Sequence, residues 1–216
     1  MIKLIAFDMD GTLTDTTRMI PAIVNQTIAH YGKAPLPAER ILCHVGHGAK
    51  NLLKGVMGEC GLSVDVDEIN AYYSSLYDQD PSPLVDLYEG IETMLATLGE
   101  KGIRRVVLSN RPHNQTVLIC GKKLPGLLDE VYGQREGIPM KPDPTALHQI
   151  LKENNVTLEE CLYMGDMHFD VDVAKNAGVR SVGCTWGLGG EEQVKNADFV
   201  IKKPMELLPI LEKDER

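Results

Sequence analysis

The chain begins with an apolar run that stops abruptly at two carboxylates. In LIAFDMDGTLTD, residues 4–15, Leu4, Ile5, Ala6 and Phe7 show no polar alternation. That pattern suits a strand buried on both faces. Strand side chains alternate, so Asp8 and Asp10 point to one side and Met9 to the other. Gly11 then lets the chain turn sharply. Two carboxylates at the end of a buried strand are costly unless a cation lies between them. The stretch predicts a metal-dependent active site. On these residues alone, an acidic turn capping a strand accounts for the pattern equally well.

The remaining chain divides by pattern. Ile20, Ile23, Val24, Thr27, Ile28 and Tyr31 fall at helical spacing over residues 18–31, with Gly32 as a stop. Further helices are predicted over residues 50–60 and from Asp67, between two proline-rich connections. From residue 83 the pattern alternates between helix and strand. Apolar runs are expected as strands at residues 104–110, in LDEVYG, LYMGD and RSVGCTWG, and in DFVI. Helices are expected near 91–98, at 113–123, after KPDP, after Asp170 and over 205–211. In KPDP, Asp143 is the expected cap and Pro144 the first helical residue. This reads as an α/β fold, a Rossmann-like parallel sheet core with helices on both faces. Residues 1–15 and 83–216 form that core, and residues 16–82 an inserted all-helical cap domain.

In open parallel sheets, ligands bind beyond the carboxyl ends of the strands. Asp8 and Asp10, Ser109 and Asn110, and Asp166 all lie at such ends, so residues remote in sequence converge on one crevice. The cap, inserted just after the first strand, stands over it. Asp8, Asp10 and Asp166 make an all-oxygen ligand set without His or Cys, which suits magnesium. Asp170, four residues on, is placed to orient Asp166. Ser109 and Asn110 precede a helix and supply a phosphate cradle. Lys141 supplies a point charge. A carboxylate is already ionised near neutral pH and can attack without an activating base. Ser109 lacks the flanking glycines of a nucleophile elbow.

DMDGT, the Ser109 of LSN, the Lys141 of KPDP, and GDMHFD, in this order and at these spacings, resemble the four motifs of the haloacid dehalogenase superfamily. The resemblance covers the whole chain, cap included. It implies Asp8 as a nucleophile that forms a phosphoaspartate and Asp10 as the general acid/base. It also implies a magnesium ion held by Asp8, the backbone carbonyl of Asp10 and Asp166. Ser109 and Lys141 would bind phosphate, with Asn110 beside them and Asp170 supporting the metal site. Asp10 points to phosphate esters, because branches that cleave carbon–halogen bonds or phosphonates lack it. The phosphohexomutase branch usually has a cap histidine where this chain has Ile20. VGHGAKNLL and the TWG at residues 185–187 resemble phosphoglycolate phosphatase-like members. Inorganic pyrophosphatases share much of that pattern. A β-phosphoglucomutase-like phosphotransferase and a non-catalytic binding protein on the same fold are the other readings. Arg111, Met167 and Thr14 depart from residues common in relatives, which bears on the substrate.

Net charge over the 216 residues is -9, which argues against nucleic acid or an anionic membrane surface as partner. A small phosphorylated metabolite is compatible, since a bound cation can reverse the field in a cleft. The five cysteines are dispersed and read as buried free thiols in a reducing compartment. The N-terminus enters a strand without a basic-then-apolar leader, so a cytoplasmic protein is expected. The sequence leaves monomer or homodimer open. Of the weaker candidates, His47, Gly48 and Lys50 could read the far end of the substrate. His44 and His47 lack the further ligands of a metal pair. His168 is expected to face solvent, and Tyr72, Tyr73 and Tyr77 to fill the cap core. Glu191, Glu192 and the KDER tail read as solvated surface.

Overall fold

The structure, a computed structural model, describes residues 1–213. The last three residues of the KDER tail lie outside the described residues. Six parallel strands form the main sheet: β1 (Leu4–Phe7), β4 (Arg104–Pro112), β5 (Glu130–Gln134), β6 (Cys161–Gly165), β7 (Arg180–Cys184) and β8 (Phe199–Ile201). Their spatial order is β5-β4-β1-β6-β7-β8. β1 therefore lies inside the sheet, with Phe7 opposite Val107 on one side and Met164 on the other. Two short strands, β2 (Thr14–Asp15) and β3 (Asp86–Leu87), form a separate antiparallel ribbon.

Alternation along β1 sorts the two faces. Ile5 and Phe7 pack with Ile91, Met94 and Leu98 of helix α5 (Ile91–Glu100) and Ile119 of α6 (His113–Lys123). Leu4 and Ala6 pack with Leu147 and Ile150 of α7 (Thr145–Glu153) and Ala174 of α8 (His168–Ala177). All four β1 side chains are fully buried. Full burial of a Leu, Ile or Phe side chain contributes about 1.5–3 kcal/mol, so this strand is a main anchor of the core.

Between the ribbon strands lie four helices, α1 (Met19–His30), α2 (Ala38–Leu42), α3 (Ala49–Cys60) and α4 (Val66–Ser75). Helix α3 ends where the sequence predicts, at Gly61 in the left-handed conformation. Helix α4 is capped by Asp65, whose carboxylate accepts from the N–H groups of Asp67 and Glu68. Ile20, Val24, Leu53 and Tyr73 of this layer join the same continuous cluster as Phe7 and Ile5. The apolar core of the cap is thus continuous with the core on one side of the sheet.

Several features differ from the sequence reading. Ribbon strands β2 and β3 and the short helices α2 and α9 (Gly190–Val194) were not expected; at two and five residues they are too short to show a period. Helix α7 starts at Thr145, so Pro144 precedes it. Asp143 still accepts the Thr145 N–H at 2.9 Å, as an Asx turn rather than a helix cap. Helix α8 starts at His168 and includes Asp170. Helix α10 (Leu207–Lys213) follows a short turn of 3-10 helix at Pro204–Glu206. Glu191 and Glu192 are exposed as expected, whereas Cys43 is exposed and not buried. No helix among the described residues is long and apolar enough to cross a membrane.

Candidate active site

Asp8 is the first residue after β1, and its N–H donates to the Met164 carbonyl at 2.9 Å, which extends the sheet by one rung. Its side chain is buried and accepts from Lys141 Nζ at 2.8 Å. Lys141 is buried too, and donates also to Asp170 at 2.7 Å and to the Tyr163 hydroxyl at 2.9 Å. Burial opposes the lysine's charge, but Asp170 and Asp8 outweigh it and hold its pKa well above the ordinary lysine value. Burial likewise pushes Asp8 up to about 7, against the pull of Lys141.

Asp166 follows β6. Thr12 Oγ1 donates to it at 3.0 Å, and the Leu188 and Gly189 N–H groups at 2.8 and 3.3 Å. Burial, then Asp170 and Asp8, raise its pKa well above the carboxylate range. Gly11 adopts φ +88°, and a Cβ there would lie 2.4 Å from an Asp166 oxygen. Only glycine fits both the turn and the approach. Carboxylate oxygens of Asp8, Asp166 and Asp170 lie within 4.8 Å of one another. Three buried hard-oxygen donors, two of them (Asp8 and Asp166) with raised proton affinity, fit a small divalent cation such as magnesium.

Asp170 does not turn toward Asp166 as a hydrogen-bond partner. Its oxygens take Lys141 Nζ and the Met167 N–H. Asp10 stands apart from the carboxylate cluster. Its two oxygens accept from Arg111 Nε and Nη2, both at 2.9 Å, a bidentate fork. Burial opposes the guanidinium charge, yet Asp10 keeps the Arg111 pKa well above its ordinary value. Arg111 Nη1 donates to the Tyr77 hydroxyl, which in turn lies 2.9 Å from that of Tyr73. Tyr77 is therefore a link from cap to site as well as a cap-core aromatic.

Ser109 and Asn110 lie within β4, and α6 begins only at His113, so they are not at the helix start. Ser109 Oγ accepts the Arg111 N–H at 3.2 Å. The Asn110 amide donates to the carbonyls of Gly46 and Lys141 and accepts the Lys141 N–H. It clasps the cap loop and the lysine-bearing loop to the strand end. Asp8, Asp10, Ser109, Asn110, Arg111 and Lys141 all line one cleft of about 530 Å³, open mouth included. Ile20, Val45, Leu52, Tyr73, Met167 and Phe169 form its apolar wall.

Gly48 lines the cleft, but His47 and Lys50 do not. His47 lies against Phe169, and Lys50 pairs with Asp67 at 2.5 Å. His44 faces Glu59 at 3.6 Å. His168 is exposed, as expected, and bonds Gln193. Gln115 and the Leu188 N–H carry no signal at the sequence level, and the site partners of Thr12 and Tyr77 show only in the fold. Backbone donors and hydroxyls show their use only once the chain is folded.

A helical cap over a parallel sheet, with carboxylates and a buried lysine gathered at the strand ends, defines a capped α/β enzyme. A model of the haloacid dehalogenase-like hydrolase family matches residues 5–184, and the chain belongs to that family. It is a phosphatase of that family, a phosphoric monoester hydrolase. Similar curated proteins include the phosphoglycolate phosphatase of Vibrio cholerae, 30% identical over 209 residues and 92% of each chain. Phosphoglycolate phosphatase 1 of Pseudomonas aeruginosa is 30% identical, over 96% of this chain and 79% of its own. A predicted phosphoglycolate phosphatase from Haemophilus somnus has the same fold, with a TM-score of 0.90 and 20% identity over 97% of this chain and 98% of that one.

Proposed function

We propose that the protein hydrolyses a small phosphomonoester, with magnesium and through a phosphoaspartate on Asp8, and that 2-phosphoglycolate is its leading substrate. The observation that carries this reading is the contact between Asp8 and Lys141 Nζ at 2.8 Å, inside the carboxylate cluster and open to the cleft. The names of the curated relatives support the substrate.

Asp8 and Asp166, with the Asp10 backbone carbonyl, would hold the ion, and Asp170 stands beside them. Bound there, magnesium offsets part of the charge on a phosphate dianion. Lys141 offsets more of it and keeps the Asp8 oxygen aligned. That oxygen attacks phosphorus as the ester P–O bond breaks. Asp10 gives its proton to the leaving alkoxide, then takes one from the water that cleaves the acyl phosphate. For this, one Asp10 oxygen turns from the Arg111 fork toward the substrate. Ser109 and Lys141 bind the phosphoryl oxygens. Asn110 acts through Lys141, which it holds by the main chain.

Ile20 lines the cleft with an apolar side chain and offers no polar or proton-transfer group to orient a sugar hydroxyl toward the phosphoaspartate. That favours hydrolysis over mutase chemistry. The test is phosphate release from a panel of 2-phosphoglycolate, pyrophosphate, nucleotides and sugar phosphates, with and without magnesium. Release that needs magnesium and is greatest for 2-phosphoglycolate is expected. Release of phosphate from pyrophosphate alone would overturn the assignment.

A further inference from the structure

Gln115 stands in the first turn of α6 and is almost fully buried, at 1% exposure. It lines the cleft beside Arg111. Its Oε1 faces Arg111 Nη1 at 3.5 Å, while its Nε2 has no hydrogen-bond partner among the described residues. An orphaned buried donor costs about 1–3 kcal/mol, so such groups call for an explanation. Arg111 adds to it. Its Nε and Nη2 hold Asp10, and its Nη1 serves Tyr77 and Gln115. A guanidinium carries five N–H groups, so one on Nη2 is left without a partner among the described residues.

We propose that Gln115 and Arg111 form the subsite that reads the leaving group, and that they select an oxygen acceptor, a carboxylate above all. This inference rests on the phosphatase reading of the same cleft and names its substrate class. The cap's share of the wall, with Ile20, Val45, Ala49 and Leu52, is largely apolar, so it offers a hydroxyl-rich sugar few partners. A short organic phosphate ending in a carboxylate would satisfy the Gln115 amide and meet a cation at once. An analogue without that acceptor leaves the buried donor unpaired. Sites built around a buried donor reject such analogues more strongly than apolar pockets reject a missing methylene.

Binding tests this apart from turnover. Asp8→Asn protein with magnesium is titrated calorimetrically with 2-phosphoglycolate and with ethyl phosphate, which differs by the carboxylate. Preference for the carboxylated ligand is expected, and Gln115→Met, of similar size, should cut it by about tenfold. Gln115→Glu should cut it further by repulsion, and Gln115→Met carries the test if that variant does not fold. A preference that survives Gln115→Met, or no preference at the outset, overturns the subsite. If the preference behaves as stated but unsubstituted enzyme releases no phosphate from either ligand, the proposed hydrolysis of these esters fails while Gln115 and Arg111 stand as a carboxylate-binding site.

Discussion

Replacing Lys141 by Met removes one charge from the centre of the site and keeps most of the side-chain volume. Lys141 Nζ contacts Asp8 at 2.8 Å, Asp170 at 2.7 Å and the Tyr163 hydroxyl at 2.9 Å, all of them buried. Breaking a buried ion pair from one side costs about 3–5 kcal/mol, because the other charge is left uncompensated. Here two carboxylates are left, beside a third on Asp166. Protonation can relieve them, so the loss depends on pH. Asp8 has its folded pKa raised from 3.8 to about 7 by burial, with Lys141 pulling it down. A carboxyl raised on folding contributes stability at low pH and loses it as pH rises through the folded value. Without Lys141, Asp8 rises further, so the variant loses more with each step toward alkaline pH. At pH 8, without metal, urea unfolding should show Lys141→Met less stable by about 3–5 kcal/mol. At pH 5 the Asp8 carboxyl is protonated, so the deficit should shrink toward the cost of the lost hydrogen bonds, about 1–3 kcal/mol. A deficit below about 1 kcal/mol at pH 8, or one that does not change with pH, would refute a buried charge network centred on Lys141.

Magnesium must compete with the protons on Asp8 and Asp166, so its affinity should rise with pH by at least about tenfold per unit in the range below 7; calorimetry across that range checks this. Gly187→Ala places a Cβ 2.2 Å from the Gly11 carbonyl and 2.4 Å from an Asp166 oxygen, so magnesium affinity and turnover should fall at least about tenfold while far-UV circular dichroism stays native. Tyr77→Phe removes the hydroxyl that Arg111 Nη1 donates to, so kcat should drop about threefold to tenfold with KM nearly constant, as steady-state kinetics would show. Phe7→Ala hollows the core under the site and should cost about 3–5 kcal/mol in urea unfolding.

Much of this architecture is legible in the sequence because it rests on periodicity. The unbroken apolar runs at Leu4–Phe7 and Cys161–Gly165 read as doubly buried strands and are so. Helix α6 starts and stops where its pattern does, at His113 and Lys123. The rule that ligands sit beyond parallel strand ends expects Asp8, Asp10, Ser109, Asn110 and Asp166 in one crevice; the first four line one cleft, and Asp166 clusters with Asp8. What the sequence hides is who pairs with whom. Asp170 lies four residues after Asp166, which suggests a partnership along the helix. Folding instead gives Asp170, in the first turn of α8, to Lys141 on the loop between β5 and α7. Arg111 reads as a substitution next to Asn110, yet it bridges Asp10 to Tyr77 over a separation in sequence that no local pattern encodes. Charge pairing across elements depends on tertiary register, which a single sequence does not display.

The central claim is that Asp8 attacks phosphorus. The direct measurement is rapid acid quench of enzyme turning over 2-phosphoglycolate with magnesium, followed by peptide mass mapping. One phosphoryl group is expected on the peptide that carries Asp8, labile to hydroxylamine, and none in Asp8→Asn protein, which should also lose turnover. Full turnover by Asp8→Asn, or a phosphoryl group trapped on another residue, would contradict it.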